Sequence, residues 1–119
     1  MLDKTSNKST GNTGEDAAAE YLIEKDYRVL GRNLRLFCGE IDILAEDGKT
    51  IVICEVKTVR GAGFGLAQEL VRYKKQEKLK LLARAVAQEY PTSTIRIDVI
   101  GVDYSTGEPK IEHIIDAVN

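Results

Sequence analysis

Hydrophobic and polar positions alternate along the chain with two different periods, which predict helices and strands in turn. Apolar residues recur every three or four positions through 13–25 and again from about 67 to 90, where Pro91 ends the pattern. This spacing is typical of helices with one buried face. Residues 1–12 are almost all polar, which predicts a flexible N-terminal tail before a single domain over 13–119.

Strand patterns fill most of the remaining chain. They cover residues 27–34, two segments within 39–57, then 95–102 and 110–115. The predicted element order is therefore αβββαββ, in which the second helix crosses over between the third and fourth strands. This order predicts an α/β fold with a mixed central sheet flanked by helices.

The segment 39–57, GEIDILAEDGKTIVICEVK, places charged residues in two strands whose pattern is otherwise that of buried strands. The Asp-Gly pair at 47–48 favours a two-residue hairpin turn with positive φ at both positions. This turn pairs Asp42 with Ile53, so that Asp42 lies diagonally next to Glu55. Lys57 follows two residues later on the same side. Two acids and a lysine are therefore predicted to share one face of the sheet.

These charges require a chemical explanation, because an ionised group is costly in a low-dielectric environment unless it is paired or metal-bound. Two carboxylates at this spacing can bind one magnesium ion, which commonly uses only one or two protein carboxylates. The ion would polarise a phosphoryl oxygen and activate a water, while Lys57 orients that water or neutralises charge on the phosphate. The alternative is a surface salt bridge between Lys57 and one of the acids.

Composition restricts the class of protein. The 119 residues are 43% hydrophobic and 30% charged, which suits one soluble globular domain. No apolar run approaches the roughly 20 residues of a membrane span, and the N-terminus has no signal-like segment. A cytoplasmic protein without membrane contact is therefore expected. Cys38 and Cys54 form no CxxC pair, and a single histidine argues against a zinc site.

Charge predicts a local rather than a global interaction with nucleic acid. The net charge is −2 and the isoelectric point is near 5.5, unlike those of a domain that binds through bulk positive charge. Lysines and arginines are concentrated instead between 72 and 84. Among them, Lys75 extends the buried stripe of the second helix and is expected to point along the sheet, toward a phosphate backbone. A solvated lysine-rich face is the alternative.

Three further features have less specific interpretations. The run 60–65, RGAGFG, predicts a flexible loop beside the site or a plain connector, since its glycine spacing differs from that of a dinucleotide-binding loop. Glu15 extends the buried stripe of the first helix toward its start, where a favourable interaction with the helix dipole would also explain a carboxylate. His113 is interpreted as a packed or edge histidine remote from the acids.

Several motifs together resemble the YraN-like family of small bacterial proteins, which has the restriction-endonuclease-like PD-(D/E)XK fold and is related to archaeal Holliday junction resolvases. They are TGEDAAAEYLIEKDYRVLGRN at 13–33, GEIDILAEDG at 39–48, CEVKTVR at 54–60, FG at 64–65, KQ at 75–76, RIDV at 96–99 and IEHIIDA at 111–117. By this resemblance, Glu15 is the acid of the first helix and Asp42 is the motif aspartate. Glu55 and Lys57 are the E-x-K pair, and the backbone carbonyl of Val56 would complete the metal shell.

The resemblance implies a magnesium- or manganese-dependent endonuclease that cuts nucleic acid, with DNA expected rather than RNA and branched or junction DNA among the candidate substrates. The predicted catalytic residues are Glu15, Asp42, Glu55 and Lys57; the predicted metal ligands are Asp42, Glu55 and Val56; the predicted nucleic-acid contacts are Arg60, Lys75 and Lys78. A resolvase-like role would require a two-fold homodimer. Two alternatives stay open: a catalytically inactive nucleic-acid-binding or protein-interaction module on the same fold, and a nucleotide-binding protein that uses the glycine run.

Overall fold

The computed structural model describes residues 13–59 and 74–118, which form a five-stranded sheet with a helix packed on each face. The elements are α1 (Thr13–Glu24), β1 (Arg28–Leu36), β2 (Gly39–Asp47), β3 (Thr50–Val59), α2 (Lys74–Glu89), β4 (Thr94–Asp103) and β5 (Lys110–Ile114). The predicted order and the predicted α/β class are therefore confirmed. The predicted tail, the glycine run at 60–65 and the predicted start of the second helix before Lys74 lie outside the described residues.

The strands lie in the sheet in their chain order, from β1 to β5. The β3–β4 pair is parallel, and the other three neighbouring pairs are antiparallel. A parallel pair needs a long crossover connection, and the segment between β3 and β4 contains α2. The mixed sheet that the sequence predicted is therefore confirmed, with β3 as its central strand.

The central strand is apolar on both faces because a helix covers each of them. Ile51 and Ile53 pack with Leu82 and Val86 of α2 in one cluster. The alternate residues Val52 and Cys54 pack with Ala18 and Leu22 of α1 in a second cluster. Burial of these side chains on both sides holds β3 in place, and the strand ends at the segment that carries Glu55 and Lys57.

The β2–β3 turn differs from the predicted one. Asp47 pairs with Thr50, so Gly48 and Lys49 form the turn and the register moves by two residues relative to the prediction. Of these two, only Gly48 has a positive φ, of 60°, which suits a hairpin turn with glycine at its first central position. Because strand side chains alternate with a period of two, a shift of two residues leaves each side chain on its predicted face.

A buried polar network joins β4 and β5 to α1. The Asp98 side chain is fully buried, and it accepts two hydrogen bonds of 2.9 Å from Arg96 and one of 3.0 Å from the Asp116 N–H. Its Oδ2 also lies 2.6 Å from Nε2 of His113, whose Nδ1 is 3.0 Å from the Tyr21 hydroxyl. His113 is packed, as expected. Its contact with Asp98 was not foreseen from the sequence.

Hydrogen bonding decides the protonation of this buried acid. Burial alone would raise the pKa of Asp98, but the hydrogen bonds from His113, Arg96 and the Asp116 N–H outweigh burial and hold the pKa below its usual value. Asp98 is therefore a carboxylate that the fold stabilises through several donors.

Two adjacent leucines of α2 provide a test of the packing. Leu82 is 1% exposed, whereas Leu81 is 46% exposed. We expect Leu82→Ala to lower the free energy of unfolding by about 2–5 kcal/mol, because it leaves a cavity in the core, and Leu81→Ala to lower it by less than about 1 kcal/mol. Urea denaturation of both variants measures the difference. Equal losses would contradict the face of α2 that packs on the sheet.

Candidate active site

The candidate site lies where β2 and β3 stop pairing. Their hydrogen-bonded ladder ends at Ile43 and Cys54, and the next residues in the same register are Asp42 and Glu55. Their carboxyl groups face each other and share a side-chain hydrogen bond. The N–H of Val56 donates a hydrogen bond of 2.8 Å to Oδ2 of Asp42, which fixes the orientation of that carboxyl group.

An ammonium group lies beside this pair of acids. Nζ of Lys57 is 3.4 Å from Oε2 of Glu55, and the two side chains are only 25% and 12% exposed. The structure thus brings Asp42, Glu55 and Lys57 together at one end of the hairpin. When the β2–β3 register is extended by one residue, Asp42 lies opposite Glu55 rather than diagonal to it, because of the two-residue difference from the predicted register. The catalytic and metal-binding roles of these residues stay predictions.

The two carboxyl groups destabilise each other's charge. Burial and the neighbouring charge of Glu55 raise the pKa of Asp42 to about 7, although the hydrogen bond from the Val56 N–H acts in the opposite direction. Two carboxyl groups held this close ionise in separate steps, because the second charge must form next to the first. The Asp42 carboxyl group therefore holds its proton up to near neutral pH.

Glu15 approaches this site from the first turn of α1. The close contact between α1 and β3 depends on Gly14, because a side chain at that position would collide with Oγ1 of Thr58. Glu15 is 3% exposed, and its Oε1 lies 3.3 Å from Nε of Arg32 in β1. Its negative charge also raises the pKa of Asp42. Glu15 is therefore an acid near the pair, with an arginine partner that the sequence interpretation missed.

The donor atoms of the pair suit a hard divalent cation. Within 13–59 and 74–118, no three His, Cys, Asp or Glu side chains converge closely enough to form a metal site. Asp42 and Glu55 are nevertheless two oxygen donors, and a cation could replace the proton that Asp42 holds. Magnesium commonly retains waters and uses one or two protein carboxylates. The backbone of Val56 lies at the same place through its hydrogen bond to Asp42. The residues that are present therefore fit such an ion.

The predicted nucleic-acid contacts are only partly described. Lys78 is exposed on α2, and its side chain crosses Gly39 at the start of β2, since a Cβ on Gly39 would lie 2.7 Å from Cε of Lys78. Arg60 lies outside the described residues. The backbone of Lys75 belongs to α2, but its side chain also lies outside what is described.

Sequence reasoning missed another acid in line with the site. Lys57 pairs with Gly101 of β4, and Gly101 in turn pairs with Glu112 of β5, so the three form one row across the sheet. Oε1 of Glu112 is buried and has no hydrogen-bond partner among the described residues. A glycine inside an otherwise buried strand was the available signal, because such a glycine often marks a close approach.

Comparison with known proteins places the chain in a family. The family model described as "Uncharacterised protein family UPF0102" matches residues 14–102. The chain belongs to this family. The resemblance predicted from the motifs is thereby confirmed, and the matched UPF0102 region contains Glu15, Asp42, Glu55 and Lys57 but ends before Glu112.

Relatives of similar length occur in several bacteria. The UPF0102 protein of Rhodococcus opacus (strain B4) is 40% identical over 93% of this chain and 97% of its own length. That of Geobacter sulfurreducens is 44% identical over 93% of this chain and 89% of its own length. That of Thermodesulfovibrio yellowstonii is 44% identical over 90% and 93%, respectively. These UPF0102 names specify no reaction.

Among solved structures, a chain from the structure of the EndoMS-dsDNA2 complex is similar to this one. The similarity has a TM-score of 0.44 with 19% sequence identity, and it covers 78% of this chain and 38% of that chain. A similarity this weak supports no conclusion about activity. Within the described parts of the chain, no helix is both long enough and apolar enough to cross a membrane.

The pKa of Asp42 has a measurable effect on stability. A carboxyl group with a usual value of 3.8 that is raised to about 7 in the folded protein binds a proton in the folded state between those limits, but not in the unfolded state. Ionisation of this pair therefore lowers the free energy of unfolding as the pH rises from about 4 to about 7. Asp42→Asn removes this loss and keeps an acceptor for the Val56 N–H.

We expect Asp42→Asn to be more stable than the wild-type protein at pH 8 by roughly 2–4 kcal/mol, with little difference at pH 4. Urea denaturation in EDTA across this range measures the difference between variant and wild type. Asp26→Asn, at an exposed position, is the matched control and should show no pH-dependent difference. A constant difference for Asp42→Asn would contradict the raised pKa.

Proposed function

We propose that this protein is a metal-dependent endonuclease that hydrolyses phosphodiester bonds in nucleic acid, with DNA as its substrate. The observation that carries the proposal is the opposed pair Asp42 and Glu55, which shares a hydrogen bond, with the ammonium of Lys57 3.4 Å from Glu55. Two acids that resist joint ionisation attract a cation, and a fixed ammonium beside them attracts a phosphate. Both features suit phosphodiester chemistry.

The carboxylates of Asp42 and Glu55, together with the carbonyl of Val56, would hold a magnesium or manganese ion. Such an ion, when bound, supplies a Lewis acid for a phosphoryl oxygen and lowers the pKa of a coordinated water. The N–H of Val56 keeps one oxygen of Asp42 engaged, so the carboxyl group is held in one orientation before any ligand arrives. Preorganisation of this kind reduces the cost of assembling the site.

Lys57 would act on the phosphate itself. Its contact with Glu55 keeps the ammonium at the edge of the acid pair, where it can stabilise the negative charge that develops on the phosphoryl oxygens or orient the attacking water. Glu15 would be auxiliary, because its ion pair with Arg32 already engages one of its oxygens.

Basic side chains of α2 would contact the phosphate backbone. Lys78 and Arg84 are exposed on this helix, and the side chain of Lys80 is 43% exposed. Because the net charge of the chain is −2, this local group rather than the whole surface would supply the attraction. The contacts predicted for Arg60 and Lys75 and the two-fold homodimer belong to the same proposal.

The principal alternative is a nucleic-acid-binding or protein-interaction module without catalysis, which the negative net charge favours. Titration calorimetry with magnesium and manganese separates the two. We expect a saturable heat for the wild-type protein that Asp42→Ala abolishes, because the variant loses one of two carboxylate ligands. Wild-type protein that binds neither ion at millimolar concentration would favour the module.

Cleavage assays test the chemistry directly. The substrates are single-stranded, duplex and branched DNA. We expect cleavage that EDTA abolishes and that added manganese restores. Asp42→Ala and Lys57→Ala should each lower the rate by at least about 100-fold, because each removes an interaction with the reacting phosphate or its metal.

Asp26→Ala and Lys110→Ala change an exposed acid and an exposed lysine, and both should cleave at the wild-type rate. Circular dichroism establishes that all four variants are folded. Wild-type cleavage by Asp42→Ala or Lys57→Ala would refute the assignment of the site.

A further inference from the structure

The turn between β1 and β2 holds an aromatic ring out in solvent. Leu36 pairs with Gly39, so Phe37 and Cys38 form a two-residue turn. The Phe37 side chain is 95% exposed, whereas the residues on either side of it, Leu36 and Cys38, pack against the core cluster of α2. The backbone that carries the ring is therefore anchored on both sides, and the ring itself makes almost no contact with the protein.

Basic side chains lie close to both strands that this turn joins. Arg35 is 60% exposed, and its nearest carboxylate oxygen, from Glu40, is 4.0 Å away, at the outer limit of an ion pair. From α2, Lys78 extends across Gly39, where the absence of a side chain makes room for it. We call Arg35, Phe37 and Lys78 the hairpin tip. It combines an accessible aromatic face with two cations.

The hairpin tip is close to the candidate site. Gly39 begins β2 and Asp42 follows three residues later, a distance of about 10 Å along a strand. Stacked nucleotides of one strand are spaced by about 3.4 Å, so this distance corresponds to roughly three nucleotides. A strand whose phosphate lies at the acid pair is therefore able to reach the hairpin tip within about three nucleotides.

Exposed hydrophobic side chains are common singly and need no function by themselves. In the described part of the chain the large exposed ones are Ile23, Phe37, Leu81 and Ile115. Phe37 differs from the other three because it is aromatic, far more exposed, and carried by the turn that Arg35 precedes and that leads into the strand of Asp42. Aromatic rings stack on nucleic-acid bases irrespective of sequence, and nearby cations attract the phosphates.

We propose that Phe37 stacks on an unpaired base, so that the hairpin tip selects nucleic acid with exposed bases, such as single-stranded or branched DNA. Intact duplex offers no open base face along its length, and only the cations of the tip would contact it. This inference rests on the proposed nuclease function and names the substrate class of the same site.

Binding without cleavage tests the stacking contact. The full chain is titrated into a fluorescently labelled single strand and into a duplex of the same sequence, both in EDTA, and anisotropy gives the dissociation constants. We expect Phe37→Ala to weaken binding to the single strand by roughly 5- to 150-fold, the range for loss of one stacked base, and to change binding to the duplex by less than about 2-fold.

Phe37→Trp should retain binding to the single strand, because indole also stacks. Ile23→Ala, which truncates an exposed side chain on α1, is the matched control and should bind both DNAs as the wild type does. Thermal melting checks that the variants are folded. Equal losses on both DNAs, no loss on either, or a wild-type protein that does not bind the single strand would each overturn the inference.

The result is separable from that of the cleavage assay. Binding that depends on Phe37 in a protein that cuts no DNA would disprove the nuclease and leave the stacking contact standing. Cleavage that depends on Asp42, combined with binding that does not depend on Phe37, would support the nuclease and disprove the stacking contact.

Discussion

The candidate site depends on one constraint: β2 and β3 hold two carboxyl groups against each other. The buried ladder that ends at Ile43 and Cys54 leaves Asp42 and Glu55 as the next opposed residues, and packing from both helices keeps the strands from moving apart. The repulsion costs stability whenever both groups are ionised. A divalent cation bound between the two groups would remove that cost and would therefore stabilise the folded protein. Lys57 and the Val56 N–H refine the position of the pair but do not create it.

A second acid on the same sheet, Asp98, has a pKa shifted in the opposite direction to that of Asp42. Asp98 is fully buried, yet its pKa is lowered, because His113, Arg96 and the Asp116 N–H outweigh the effect of burial. The pKa of Asp42 is raised to about 7, because burial and the neighbouring charge of Glu55 outweigh the hydrogen bond from the Val56 N–H. Hydrogen-bond donors therefore stabilise the negative charge of Asp98, which joins β4 and β5 to α1. The negative charge of Asp42 is stabilised less, and a cation would stabilise it further. Opposite pKa shifts of this kind single out Asp42, rather than Asp98, as the candidate functional carboxylate.

Much of the fold and part of the site could be predicted from the sequence because both follow from local periodicity. Alternation placed Asp42, Glu55 and Lys57 on one side, and this survived a turn at Gly48 and Lys49 instead of the predicted Asp-Gly, since a shift of two residues preserves the face. Contacts between distant segments were not accessible in this way. The pairing of His113 with Asp98 requires the β4–β5 register, and the row from Lys57 to Glu112 requires three strands. The ion pair between Glu15 and Arg32 requires the packing of α1 on the sheet.

The acidity of the whole chain bears on what kind of nucleic-acid ligand would suit it. With a net charge of −2, long-range attraction to duplex DNA is weak, and affinity has to come from short-range contacts. Exposed basic residues lie on α2 and at the hairpin tip, where Lys78 crosses Gly39 at the start of the strand that carries Asp42. A cation between Asp42 and Glu55 would also offset the local negative charge that otherwise repels a phosphate. Catalysis would then depend on this metal, and discrimination between nucleic acids would come from contacts that do not depend on charge, such as the base stacking proposed for Phe37.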